Sequence, residues 1–124
     1  ILNSLKAHAL AAQDLQKQFH CCMPLFIALG DKVRLSIVEL LSEEAIKAGS
    51  SQGAIDFENH AMNVNEITRR TSLSRPAISH HLKILKDAGL VGVRQDGTAN
   101  YYYLTLRDST RSLMELGYRL EEFM

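Results

Sequence analysis

The stretch from Leu73 to Leu90, Leu-Ser-Arg-Pro-Ala-Ile-Ser-His-His-Leu-Lys-Ile-Leu-Lys-Asp-Ala-Gly-Leu, holds a helix start, an amphipathic helix and a glycine stop in one short segment. Ser74 can cap the helix by accepting a hydrogen bond from a backbone N–H that the first turn leaves orphaned. Pro76 falls where a missing N–H costs nothing. The spacing predicts a helix from Arg75. At about 100° per residue, Ile78, Leu82 and Leu85 share one stripe, while Pro76, Ser79, His80 and Lys83 share the opposite side. One face packs and the other reaches out. Gly89 supplies the positive φ that ends such a helix, and Lys83 and Lys86 lie toward its negative dipole end.

A second helix is predicted just before it. Asn63 can cap, Glu66 follows in capping-box spacing, Ile67 and Leu73 are its apolar contacts, and it ends near Thr71. Two short helices joined by a tight turn fit a helix-turn-helix whose second helix suits the major groove; the same spacing also fits a plain αα-hairpin with a solvated outer face. Val91-Gly-Val-Arg-Gln and Ala99-Asn-Tyr-Tyr-Tyr-Leu read as two strands around Asp96-Gly97, a strong hairpin signal. Helix-turn-helix followed by a hairpin describes a winged helix.

Four blocks in order carry a specific resemblance. They are Ala28-Leu-Gly-Asp-Lys-Val-Arg-Leu, the Ser-Arg-Pro-Ala-Ile-Ser-His-His-Leu-Lys run, Asp-Ala-Gly-Leu-Val, and Asp-Gly-Thr-Ala-Asn-Tyr-Tyr-Tyr-Leu. From Pro24 to Leu106, apart from an inserted loop, the chain resembles the ArsR/SmtB family of winged helix-turn-helix transcriptional repressors. The resemblance implies a small homodimer that sits on operator DNA and, in many relatives, releases it when a metal, metalloid or oxidant arrives.

With 124 residues, 46% of them hydrophobic, one winged-helix DNA-binding domain spanning residues 1–124 is expected. No apolar run is long enough for a bilayer, and the first residues lack signal-peptide order, so a cytoplasmic protein without membrane attachment is the expectation. The net charge of +0 gives no hint of a nucleic-acid partner, but its distribution does. Between Glu66 and Asn100, Arg69, Arg70, Arg75, Lys83, Lys86 and Arg94 outnumber Glu66, Asp87 and Asp96 by three, whereas residues 1–65 sum to −2 and 101–124 to −1. That excess suits modest, salt-dependent phosphate contact.

Toward the amino end, Leu5, Ala9, Ala12, Leu15, Phe19 and Cys22 recur at helical spacing, predicting a long amphipathic helix over 1–22 that Pro24 interrupts. Leu25 to Leu29 form a short helical link. Asp31 then caps a helix of about three turns with Leu35, Val38 and Leu41 inward and Lys32, Arg34 and Glu39 in water. Residues 43–61 read as an inserted flexible surface loop, because Gly49-Ser-Ser-Gln-Gly53 cannot pack and Ile55 and Phe57 are its large apolar residues before Met62. At the other end Leu113, Leu116, Gly117, Leu120, Phe123 and Met124 predict another amphipathic helix over 107–124, starting around Asp108, Ser109 and Thr110. The fold class is therefore mostly α with a small β-hairpin wing and long terminal dimerisation helices. Leu5, Ala12, Leu15, Phe19, Leu113, Leu116, Leu120 and Phe123 are the expected dimer interface.

The family's familiar metal sites do not carry over. Where its thiol site reads Cys-Val-Cys, this chain has Asn63, Val64 and Asn65, and asparagine cannot supply the thiolates a soft ion prefers. Its other site needs Asp-x-His at the start of the last helix and a later histidine; here Ser109 and Thr110 follow Asp108 and no histidine comes after His81. Neither a metal nor a cofactor is expected. His20, Cys21 and Cys22 remain. Buried structural cysteines, a thiol-based redox or metalloid sensor through Cys21 and Cys22, and zinc through His20 are the open readings. His81 leans toward the core stripe and is expected to bond a backbone carbonyl.

An enzyme is the rival from another class, but His20 beside Cys21 has no oxyanion loop or phosphate cradle, so no catalytic residue is expected. A winged-helix protein-association module without DNA binding is the third. The expected function is sequence-specific binding of double-stranded DNA as a homodimeric repressor. Ser74, Arg75, Pro76, Ser79, His80 and Lys83 are expected on the groove, and Arg94, Thr98 and Asn100 on phosphate or minor groove. The residues do not name an effector.

Overall fold

Asp31, Asn63 and Ser74 each begin a helix as their side chains predict, and those three starts set the frame of the molecule. The structure, a computed structural model, describes residues 1–49 and 54–124. Its elements run α1 (Leu2–Leu29), α2 (Lys32–Ala48), a short 3₁₀ turn (Glu58–His60), β1 (Met62–Asn63), α3 (Val64–Arg69), α4 (Arg75–Asp87), β2 (Val91–Asp96), β3 (Ala99–Leu104) and α5 (Leu106–Glu121). Asp31 accepts from the N–H groups of Val33 and Arg34, Asn63 and Glu66 complete a capping box, and Ser74 accepts from Ala77 N–H. Gly89 closes the turn after α4 with φ of 78°.

The predicted stripe of α4 is the centre of the core, since Ile78, Leu82 and Leu85 are each 0% exposed. Ile37 and Leu41 from α2, Ile67 from α3, Leu25 and Ala28 from α1 and Leu104 from β3 close around them. Burying each such side chain contributes about 1.5–3 kcal/mol, and Leu82→Ala would cost about 2–5 kcal/mol with the cavity it leaves. The sheet is antiparallel in the order β1-β3-β2, with Asn63 paired to Tyr101 and Arg94 to the same Tyr101 from the other side. In the hairpin Asp96 pairs with Ala99, so Gly97 and Thr98 form the loop and Gly97, first in it, takes the positive φ.

Several expectations are corrected. Helix α1 does not stop at Pro24 but runs through it to Leu29, because Cys22, Leu25 and Ala28 are all buried and hold successive turns against the core. The proline removes one ladder bond without unseating the packing. Helix α2 is longer than predicted, since Ile37, Leu41 and Ala45 form its buried row. That row leaves Leu35 43% exposed and draws Arg34, expected in water, inward.

Residues 43–48 of the expected loop are therefore helix, and Phe57 packs against the core beside the 3₁₀ turn, while positions 50–53 lie outside the described residues. Helix α3 ends at Arg69, ahead of Thr71. Helix α5 begins at Leu106 rather than at Asp108. Its cap residue Thr105 makes no capping bond, because its hydroxyl donates instead to the Gly89 carbonyl at 3.0 Å. Gln18 Nε2 donates to the Ser112 carbonyl at 2.8 Å and fastens α5 to α1, helped by Arg119, which reaches Asp14 at 3.8 Å.

Candidate nucleic-acid interface

Because Ile78, Leu82 and Leu85 are sunk in the core, the rotation of α4 is fixed and its other side must face out. Ser74, Arg75, Pro76, Ser79, His80 and Lys83 are all exposed there. Lys83 reaches Asp87 at 3.5 Å, but both side chains are mostly in water and such a pair exchanges readily for a phosphate. Arg75 enters no ion pair among the described residues and lines a cleft of about 220 Å³ with Asn63, Val64, Asn65, Thr98, Ala99 and Asn100. The amino end of α4, the start of α3 and the tip of the wing thus meet at one place.

Arg94, Thr98 and Asn100 lie on the wing as expected, and Tyr101 is an addition. The Arg94 guanidinium sits over the Tyr101 ring, 5.3 Å from its centre, and Arg94 Nε is buried with no hydrogen-bond partner among the described residues. Counting back from the Asp-Gly turn places these two residues opposite each other, so the signal was present in the sequence. The place of Asn65 in the cleft had no such signal, since it depends on β1 pairing with β3.

The basic residues do not act alike. Arg70 donates to Glu44 at 2.7 Å and is thereby turned toward the scaffold. That hydrogen bond holds the Glu44 carboxyl below its usual range. Arg69 and Lys86 remain exposed.

The two cysteines part company. Cys21 is exposed, whereas Cys22 is fully buried and its thiol donates to the Ser112 carbonyl at 3.3 Å. Among the described residues no three His, Cys, Asp or Glu side chains gather as a metal site, and Asn63, where the family's first thiol falls, uses its side chain to cap α3. The expected carbonyl partner of His81 is replaced. Its Nδ1 lies 3.2 Å from Arg34 Nη1, because α2 presents a guanidinium at that height.

Of the expected interface residues, Leu5, Ala12, Phe19, Leu113, Leu120 and Phe123 are exposed and Leu15 is half-buried, while Leu116 is 8% exposed, already covered within its own protomer. Met23, Phe26, Ile27, Met114 and Tyr118 add exposed apolar surface on the same two helices. No helix among the described residues is long and apolar enough to cross a membrane.

Comparison with known proteins agrees with this layout. Residues 57–93 match the family described as bacterial regulatory protein, arsR family. An HTH-type transcriptional regulator of Methanocaldococcus jannaschii is 37% identical over 92 residues, covering 74% of this chain and 85% of that protein. The transcriptional repressor SdpR of Bacillus subtilis is 33% identical over 88 residues, covering 68% of this chain and 80% of the repressor. In structure, a homodimeric winged helix-turn-helix DNA-binding domain from Mycobacterium bovis superposes with a TM-score of 0.56 at 25% identity, covering 84% of this chain and 82% of that one. These relatives are regulators rather than enzymes. The chain belongs to the ArsR family of bacterial transcriptional regulators, with a winged helix-turn-helix as its DNA-binding part.

Proposed function

We propose that this chain is a homodimeric repressor whose residues 1–124 form one domain on double-stranded operator DNA. The observation that carries this is the division of α4, with a stripe at 0% exposure on one side and an unobstructed polar and basic face on the other. Arg75 and Ser79 read base edges, with His80 and Lys83 beside them. Ser74 and Pro76 set the first turn at the groove, and Arg94, Thr98 and Asn100 hold the backbone. Dimerisation is supported by the apolar surface left open on α1 and α5, and repression by the likeness to a repressor.

Pairing through those helices about a two-fold axis puts two recognition helices about one DNA turn, roughly 34 Å, apart. Nuclease footprinting on DNA upstream of the protein's own coding region tests the reading. Two protected half-sites at that spacing are expected. An unprotected duplex together with an intact dimer would favour a protein-association module instead.

A thiol-sensing role has one observation in its favour. The exposed Cys21 lines a cleft with Ser109 and Ser112 at the start of α5, where a modification would disturb the seam of the two terminal helices. Its test is loss of footprint on oxidation that disappears in the Cys21→Ser variant.

A further inference from the structure

The guanidinium of Arg34, on α2, is used on three sides. Its Nε donates to the Ala28 carbonyl at 2.7 Å and its Nη2 to the Ile27 carbonyl at 3.2 Å, both among the carbonyls that the end of α1 leaves without helical partners. Its Nη1 lies 3.2 Å from Nδ1 of His81. One side chain therefore joins the last turn of α1 to the helix that presents Ser79 and His80. A guanidinium has donors and no acceptor, so this contact is a hydrogen bond only when His81 accepts through Nδ1 and carries its proton on Nε2.

Protonation of the ring turns that acceptor into a donor and sets two cations at hydrogen-bond distance. Among the described residues the acid facing them is Asp31, 4.0 Å from Arg34 Nη1. Its carboxylate is already engaged by the N–H groups of Val33 and Arg34. The bond from the Arg34 N–H is the largest influence keeping Asp31 below its usual range, with the charges of Arg34 and His81 acting in the same direction. His80, beside His81 on the same helix with ring centres 5.9 Å apart, adds a like charge when it too is protonated. One carboxylate thus faces two cations, with His80 a third beside His81.

We propose that Arg34 and His81 form a pH-sensitive brace in which neutral His81 holds the recognition helix against α1 and protonated His81 lets it go, lowering sequence-specific affinity for DNA. This rests on the reading of α4 as the DNA-reading helix. Both residues act through the placement of α4 and are positioning residues. The sign distinguishes the brace from bulk charge. Protonating the exposed His80 adds a positive charge at the DNA face and strengthens contact with every duplex, whereas releasing α4 weakens the preferred duplex selectively.

The full chain is used to enrich its preferred duplex from a random-sequence library, and affinity for that duplex is measured against an unselected one from about pH 7.5 to about pH 5.5, across the histidine range. In the wild type the ratio falls about tenfold, the order expected for losing one charge-assisted hydrogen bond. In His81→Asn, whose Oδ1 takes the place of Nδ1 and does not titrate, the ratio stays flat. Thermal unfolding at each pH checks that both chains remain folded. The same pH dependence in both proteins, or none in the wild type, overturns the brace.

Failure to enrich any duplex overturns the DNA-reading assignment instead, and then nitrogen NMR of the His81 ring decides the brace alone. The Nε2–H tautomer at pH about 8, with α4 amide shifts that follow ring protonation, is expected. An Nδ1–H tautomer, or α4 amides indifferent to the titration, overturns it. The same NMR readout serves if His81→Asn fails to fold.

Discussion

The Arg94 guanidinium lies over the Tyr101 ring, 5.3 Å from its centre, held by the ring face across the paired strands of the wing. A cation held in this way loses freedom to move, which suits a contact with the regular phosphate backbone. Arg94→Ala is expected to weaken binding to all duplexes alike and to reduce the salt slope by about one. Tyr101→Leu keeps the charge and releases its orientation, so affinity falls with the slope unchanged. Ser79→Ala should instead relax sequence preference. Fluorescence anisotropy over a salt series separates the three, and equal loss of specificity in Ser79→Ala and Arg94→Ala would show the groove assignment to be wrong.

The dimer seam calls for variants chosen by burial. Leu113 and Leu120 are each 39% exposed, so Leu113→Glu and Leu120→Glu should leave the fold intact and yield monomers with poor DNA affinity. Leu116, at 8% exposure, packs inside its own protomer, and even Leu116→Ala should lower stability by about 2–5 kcal/mol. Sedimentation and thermal unfolding measure the two effects separately. A wild type that is monomeric at micromolar concentration would remove the basis for a two-helix operator contact.

Thiol reactivity should follow exposure. Cys21 is exposed and Cys22 is enclosed beneath Ser112, so a disulfide reagent should label a single thiol rapidly in the native protein and the second on unfolding. Rapid labelling of both would mean that α1 and α5 separate readily. Zinc at micromolar levels should leave DNA affinity unchanged, since asparagines stand at positions 63 and 65. A tight stoichiometric zinc would contradict this.

The Arg70–Glu44 pair gives a stability effect with a defined pH window. Glu44 is lowered from 4.5 chiefly by the hydrogen bond from Arg70, so its contribution is fully present above that value and is lost as pH falls through the lowered one. Arg70→Ala should therefore be slightly less stable than wild type at neutral pH and equal to it in strong acid. Urea unfolding at the two pH values measures the difference. A gap that widens on acidification would refute the pairing.

Local chemistry was legible at several places where a side chain acts on its own backbone, though not at the start of α5, whose cap residue Thr105 bonds elsewhere. Asn63, Ser74 and Gly89 could be read because caps and positive-φ stops are decided within a few residues. Ile78, Leu82 and Leu85 could be read because a helix with so clear a stripe can be buried in one orientation. Pro24 misled for the complementary reason. Its local cost is real, but Cys22, Leu25 and Ala28 gain more by continuing the helix against partners distant in sequence. The phase of α2 was missed likewise, since Leu35 and Ile37 are equally apolar and the other helices decide which is buried. The exposed face of α4 and the wing were visible from spacing. The Arg34–His81 contact and the entry of Asn65 into the cleft were not, because each joins elements whose approach no periodicity records.

Strand β1 is only Met62 and Asn63, yet Asn63 is at once a rung of the sheet beside Tyr101 and the cap of α3. Tyr101 in turn is the rung opposite Arg94. Helix-turn-helix and wing thus share Asn63 as well as the core in which Leu104 of β3 meets the buried stripe of α4, so a tilt of one is carried to the other. On the proposed reading the protein would meet DNA like a caliper with a locked jaw, its helix-to-wing gap set at folding. In the proposed homodimer the distance left to adjust is the one between protomers, and there a regulatory signal would have most leverage.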